Sequence, residues 1–173
     1  MDYGALSGCS FETIILPNSV EYMDSWSILE NCDNLKTIHI PSSVKKIGPV
    51  FMYDCNSLET VTGGEGIIDM DIWNGAYFDN CPNLQSPVIL NTFFFRLPST
   101  HEGAYEVPDY VTEIARDGMW HVTGLTALTL PESVIAIHGN AFVGDESLKD
   151  IYYYAIEIPE THDETFNDLD KPS

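Results

Sequence analysis

Basic residues are scarce: 7 lysines and arginines stand against 27 aspartates and glutamates in 173 residues, so 7 − 27 gives a formal net charge of −20. Such a surface repels phosphate backbones and anionic headgroups, which argues against nucleic-acid and peripheral-membrane partners. Also missing is any apolar run long enough to cross a bilayer, so no membrane insertion by this segment is expected. Met1, Asp2, Tyr3 and Gly4 supply no basic n-region, so export is expected to be directed by sequence outside this chain. The chain has no nucleophile elbow, no phosphate loop and no pair of zinc ligands two to four residues apart. No cofactor, no metal and no catalytic activity are therefore expected.

What the chain does have is 44% apolar residues, enough to bury a core in a single domain over residues 1–173. It also repeats itself. A shift of 23 residues carries Tyr105 onto Leu128, Val107 onto Leu130, Pro108 onto Pro131, Val111 onto Val134, Ile114 onto Ile137 and Met119 onto Phe142. Val122 falls on Asp145, the one pair that breaks character. The same shift takes Cys32 to Cys55, Leu35 to Leu58 and Ile38 to Val61, so one period runs through both halves.

The units read roughly 9–31, 32–54, 55–80, 81–104, 105–121, 122–144 and 145–166. The third has Gly63 and Gly64 where others have Ile and Pro. The fourth starts normally at Cys81 and Leu84, then enters the aromatic tract Phe93, Phe94, Phe95 and loses register until Tyr105. Over 91–104 the chain forms either an inserted loop or a rewritten rung, and the Pro98 to Gly103 stretch favours a loop. The last unit is degenerate.

Each clear unit opens with apolar residues at alternate positions, such as Ile38 and Ile40, the period of a short strand. Pro17, Pro41, Pro108 and Pro131 then end the strand, because proline offers no amide to a continuing ladder. Val44 and Ile47 return along another wall, and Phe51 and Met52 fill the interior. No rung buries its apolar residues alone, and stacking rungs about 4.8 Å apart turns them into a continuous core.

The order Leu, two residues, Ile, one residue, Ile-Pro, two residues, Val, two residues, Ile-Gly closely resembles the BspA-like, or Treponema pallidum-type, leucine-rich repeat. Leu35 to Cys55 carries it best, with Leu125 to Phe142, where the family's Ala-Phe pair stands as Ala141-Phe142. The resemblance covers about residues 4–158. It implies a β-rich leucine-rich-repeat solenoid, a right-handed coil of about seven rungs with parallel strands on the concave face and little helix. It also implies an extracellular or cell-surface protein of the bacterial type, used in adhesion and protein binding, with no shared catalytic residues. Ala5 to Cys9 reads as the closing half of an earlier unit, so the chain is expected to belong to a longer protein.

Cys9, Cys32, Cys55 and Cys81 recur at one column of the repeat and are expected to stack as small buried residues. A disulfide between adjacent rungs or a metal site is the alternative. His39, His101, His121, His138 and His162 are scattered with no nucleophile beside them. Asp69 with Asp71, and the tail residues Asp163, Glu164, Asp168 and Asp170, offer calcium-type ligands, but without the rhythm and glycine turn of a calcium loop.

If Ile38 and Ile40 point inward, Thr37 and His39 point outward. The same parity exposes Thr13, Ile15, Thr60, Thr62, Glu106, Ala127, Thr129, Asp150 and Tyr152. From these, Ile15, Thr37, His39, Thr60, Thr62, Thr129, Asp150 and Tyr152 are the candidate contacts for a protein or glycan ligand, with Ile15 and Tyr152 as anchors. The alternatives are an inert strip of β-forming threonine and a structural spacer within a longer surface array. The Phe93 to Phe95 tract is read as core packing of an irregular rung.

Overall fold

The structure, a computed structural model, describes residues 3–154, 160, 161 and 165. The degenerate end of the last unit, including Phe166, and the acidic tail with its calcium-type ligands lie outside the described residues, as does His162.

The described residues form strands and turns and no helix. In chain order the strands are β1 (Thr13–Ile15), β2 (Tyr22–Met23), β3 (Thr37–Ile40), β4 (Lys46–Ile47), β5 (Thr60–Gly63), β6 (Asp69–Met70) and β7 (Val88–Leu90). They continue with β8 (Phe93–Arg96), β9 (Glu102–Glu106), β10 (Glu113–Ile114), β11 (Gly124–Leu130), β12 (Ala136–Ile137), β13 (Asp150–Tyr153) and β14 (Glu160–Thr161).

A rung has three walls. The first carries the longer strands, paired in parallel as β1-β3-β5 and β9-β11-β13; the second carries the short ones, as β2-β4-β6 and β8-β10-β12-β14. Register follows the sequence period: Ile38 pairs with Val61 and Leu128 with Ile151, each 23 positions on. Proline makes the corner between these walls. The carbonyls of Pro17, Pro41, Pro108 and Pro131 accept the N–H groups of Val20, Val44, Val111 and Val134 at 3.0–3.2 Å. A second turn of the same form runs from the cysteine column, where Cys32, Cys55 and Cys81 accept from Leu35, Leu58 and Leu84.

The third wall was not visible in the hydrophobic pattern. It is built on left-handed residues that recur in pairs: Gly4 and Gly8, Ser27 and Asn31, Val50 and Asp54, Ala76 and Asn80, Asp117 and His121, Asn140 and Gly144, with φ between 50° and 80°. In four of these pairs the N–H groups reach carbonyls one rung on, as Asn31 reaches Tyr53 at 2.9 Å and His121 reaches Val143 at 2.9 Å, whereas the Ala76 N–H reaches the Asp117 carboxylate. Asparagine, aspartate and glycine tolerate this backbone better than other residues. In the third unit the first wall closes on Gly63, whose φ is 82°; a Cβ there would stand 2.1 Å from the Ile40 carbonyl oxygen.

The described residues make about six turns, and much of the last of the roughly seven expected units lies outside them. The unit at 81–104 makes no third wall of its own. After β7 the chain reverses at Asn91 (φ 54°) and Thr92, and β8 runs back antiparallel to β7 before joining the second wall beside β10. Residues 97–101 form the turn between β8 and β9, so most of the Pro98 to Gly103 stretch is a connection as read, and strand structure resumes at Glu102.

This rewritten rung divides the core. Phe93 and Phe95 pack into the N-terminal apolar cluster with Phe51, Tyr77 and Phe78, while Phe94 and Leu97 pack into the C-terminal one with Ile114, Leu125 and Phe142. All four residues of β8 are buried, and Tyr77 meets Phe95 edge-on at 4.9 Å. The aromatic tract is core, as expected.

Candidate functional site

The alternation of outward and inward residues is clearest on β3 and β11 and is lost on β13, where Asp150, Ile151 and Tyr152 are all exposed. Thr37 and His39 are exposed between buried Ile38 and Ile40, and Thr129 is half-buried between buried Leu128 and Leu130. Pairing stacks the candidates in rows. Ile15, His39 and Thr62 align across β1, β3 and β5, with Thr13, Thr37 and Thr60 beside them. Glu106, Thr129 and Tyr152 align across β9, β11 and β13, with Ala127 next to Asp150. His39 Nδ1 lies 3.1 Å from Thr62 Oγ1. Ile15 is 93% exposed and Tyr152 49%. The rows do not join: β5 and β9 make no contact, so there are two short ladders where the sequence suggested one strip.

The cysteines are free and stacked. Cys32 Sγ donates to the Leu6 carbonyl at 3.2 Å, Cys55 to Leu29 at 3.1 Å and Cys81 to Met52 at 3.0 Å. The hydrogen bond with Cys55, then burial, pushes the Cys32 thiol far up. For Cys55 the bond with Cys32 favours the thiolate, but the bond with Cys81 and burial push it up to about 12. Such thiols are weak nucleophiles and weak metal ligands. Asp145 continues this column. Its Oδ1 accepts the Val122 N–H at 2.6 Å, which explains the pair that breaks the repeat. Burial pushes its carboxyl up to about 8, against the opposing pull of the Val122 N–H and Arg96.

The calcium-type pair is otherwise engaged. Asp69 binds Lys46 Nζ at 2.6 Å, and Asp71 Oδ1 accepts the N–H groups of Trp73 and Asn74 at 2.9 Å. Among the described residues no group of three or more His, Cys, Asp or Glu side chains converges on a metal position. Of the histidines, His39 sits on the strip, His101 packs edge-on against Tyr105, and His138 Nε2 lies 2.9 Å from Glu113 Oε2.

Sequence reasoning missed a cavity of about 430 Å³ on the third wall, lined by Tyr53, Asp79, Asn80, Pro82, Arg96, Ser99, Trp120 and His121. It arises because the rewritten rung leaves the walls at 76–80 and 117–121 without a third wall between them. Arg96, at the end of β8, fills the seam instead. Its Nη2 lies 3.0 Å from Asp79 Oδ1, and its Nη1 donates to the Asp117 carbonyl at 2.7 Å. Asp117 Oδ2 in turn accepts the Ala76 N–H at 3.1 Å. Burial lowers the Arg96 guanidinium and raises the Asp117 carboxyl; Asp79 opposes the first, and the Ala76 N–H opposes the second. One signal was available: a lone arginine directly after Phe93, Phe94 and Phe95 is a charge inside a buried strand.

Three-walled rungs in 23-residue register, with asparagine, glycine and cysteine at fixed corners, define a leucine-rich-repeat β-solenoid. The family described as "BspA type Leucine rich repeat region" matches residues 1–101 and 99–171 in six copies, and the chain belongs to it. Among solved structures, the pneumococcal vaccine antigen PcpA is similar over 90% of this chain and 49% of its own, at 16% identity and a TM-score of 0.52. A leucine-rich cell surface protein of Faecalibacterium prausnitzii is similar over 80% of this chain and 48% of its own, at 21% identity and a TM-score of 0.43. The chain thus spans about half the length of these structures. No curated protein matches it.

Proposed function

We propose that this chain is a non-catalytic binding module of a cell-surface protein, recognising a protein or glycan ligand through its outward first-wall ladders. The observation that carries the reading is the rows themselves. Ile15, His39 and Thr62, and separately Glu106, Thr129 and Tyr152, are held in register by strand pairing, and on β3 and β11 the intervening residues are buried in the core. Their identities are therefore free to serve a partner, and Ile15 and Tyr152 are amphipathic or apolar groups of the kind that anchor one. Membership of the BspA-type family supports a binding role. The surface location rests on the family resemblance and on the likeness to a vaccine antigen.

The test is a screen of the chain against immobilised extracellular-matrix proteins and a glycan array, repeated with His39→Glu, Thr62→Lys and Thr129→Lys. A specific ligand that loses at least tenfold in affinity with one of these supports the reading. No specific ligand, or ligands indifferent to all three changes, refutes it and favours a spacer.

A further inference from the structure

We infer that the third-wall cavity at the seam is a binding site for a neutral saccharide, separate from the first-wall ladders. Its volume of about 430 Å³ suits a small ligand and is too small to seat a folded partner. The floor is Asp79 and Arg96, both buried and paired at 3.0 Å, so it offers charged donors and acceptors without net charge. Tyr53 and Trp120 are half-buried, and the Trp120 and His121 rings meet edge-on at 4.4 Å. Asn80, Ser99 and His121 are exposed.

This composition selects among ligands. An apolar molecule would desolvate the Arg96–Asp79 pair without replacing its hydrogen bonds, which is costly. An anion would meet a guanidinium already neutralised by Asp79, on a chain of net charge −20. A neutral sugar avoids both penalties. Its C–H faces pack on aromatic rings, and its hydroxyls both donate and accept, matching the carboxylate, guanidinium, amide and hydroxyl groups around the cavity. The site exists only where the rewritten rung opens the wall, so a regular solenoid of the same repeat would lack it.

The chain has three tryptophans, and Trp26 and Trp73 lie outside the cavity. Trp26→Phe with Trp73→Phe leaves Trp120 as the only indole. Titrating this form with glucose, galactose, mannose, N-acetylglucosamine and their disaccharides is expected to give a saturable change in Trp120 emission for at least one sugar. Asn80→Gly and His121→Gly should weaken that binding at least fivefold, glycine being chosen because both positions have positive φ, 50° and 57°. Thr129→Lys should leave it unchanged. No saturable response to any neutral sugar up to tens of millimolar, tighter binding of glucuronate than glucose, or a loss caused by Thr129→Lys but not by the glycine variants would each overturn the proposal. Since Thr129→Lys reports on the ladder alone, failure of the cavity and failure of the ladder are read separately.

Discussion

Replacing Arg96 with methionine isolates the contribution of the buried ion pair at the seam between the two halves of the solenoid. The side chains of Arg96 and Asp79 are 5% and 8% exposed, so methionine keeps much of the packing volume but leaves a carboxylate buried beside it. Breaking one partner of a buried ion pair costs about 3–5 kcal/mol. Loss of the bond to the Asp117 carbonyl, 2.7 Å in the native chain, adds about 1 kcal/mol. For a domain stable by about 5–15 kcal/mol, a loss of about 5 kcal/mol is large, and at this length it lowers Tm by about 15 °C. Adding Asp79→Asn removes the stranded charge, so the double variant should recover more than half of the loss. Urea unfolding followed by circular dichroism reads all three forms. If Arg96→Met alone costs under about 1 kcal/mol, or if Asp79→Asn deepens the loss, then the ion pair is not what closes the seam.

Other positions test other walls. Val50 is β-branched at φ 55°, where its column mates include Gly4, Asp117 and Asn140; Val50→Asn should stabilise the chain by about 1 kcal/mol in urea unfolding. The folded Asp145 carboxyl, pushed up to about 8, lies above its ordinary 3.8, so the native state holds this proton more tightly than the unfolded chain. Its contribution is complete below pH 3.8 and is lost as pH rises through 8, at up to about 1.4 kcal/mol per pH unit. Asp145→Asn should therefore flatten the stability profile over that range and be more stable than the parent at pH 9; a parallel profile would refute the burial argument. Alkylation of the native chain at pH 8 should label Cys9, which is half-buried, well before buried Cys32, Cys55 and Cys81, while urea should expose all four; equal native rates would contradict the stacked column.

Much of this architecture was legible because apolar spacing encodes it directly. Ile38 and Ile40, or Leu128 and Leu130, alternate as strand residues must, and Pro41 and Pro131 mark where pairing stops. The third wall escaped because it is specified by backbone conformation, not by hydrophobic period. Its signal was nonetheless present, as Gly8, Asn31, Asp54, Asn80 and Gly144 each precede a cysteine or its equivalent. The rewritten rung was harder to read. Glu102, Ala104 and Glu106 are exposed on β9 and Gly103 has a φ of 91°, so their composition looks like a loop although their backbone pairs with β11. The cavity follows from that departure, which no regular period announces. Asp79 and Trp120 become neighbours only because the chain omits one wall between them.

Parallel rungs in 23-residue register form two ladders separated by a rewritten rung. Paired cysteine substitutions test it directly, since residues aligned on neighbouring strands come within disulfide reach. Thr37→Cys with Thr60→Cys, and Thr129→Cys with Tyr152→Cys, should cross-link under mild oxidation, as peptide mapping would show. Thr62→Cys with Glu106→Cys should not, because β5 and β9 make no contact. Efficient cross-linking of the last pair, or none in the first two, would contradict the register and the seam together.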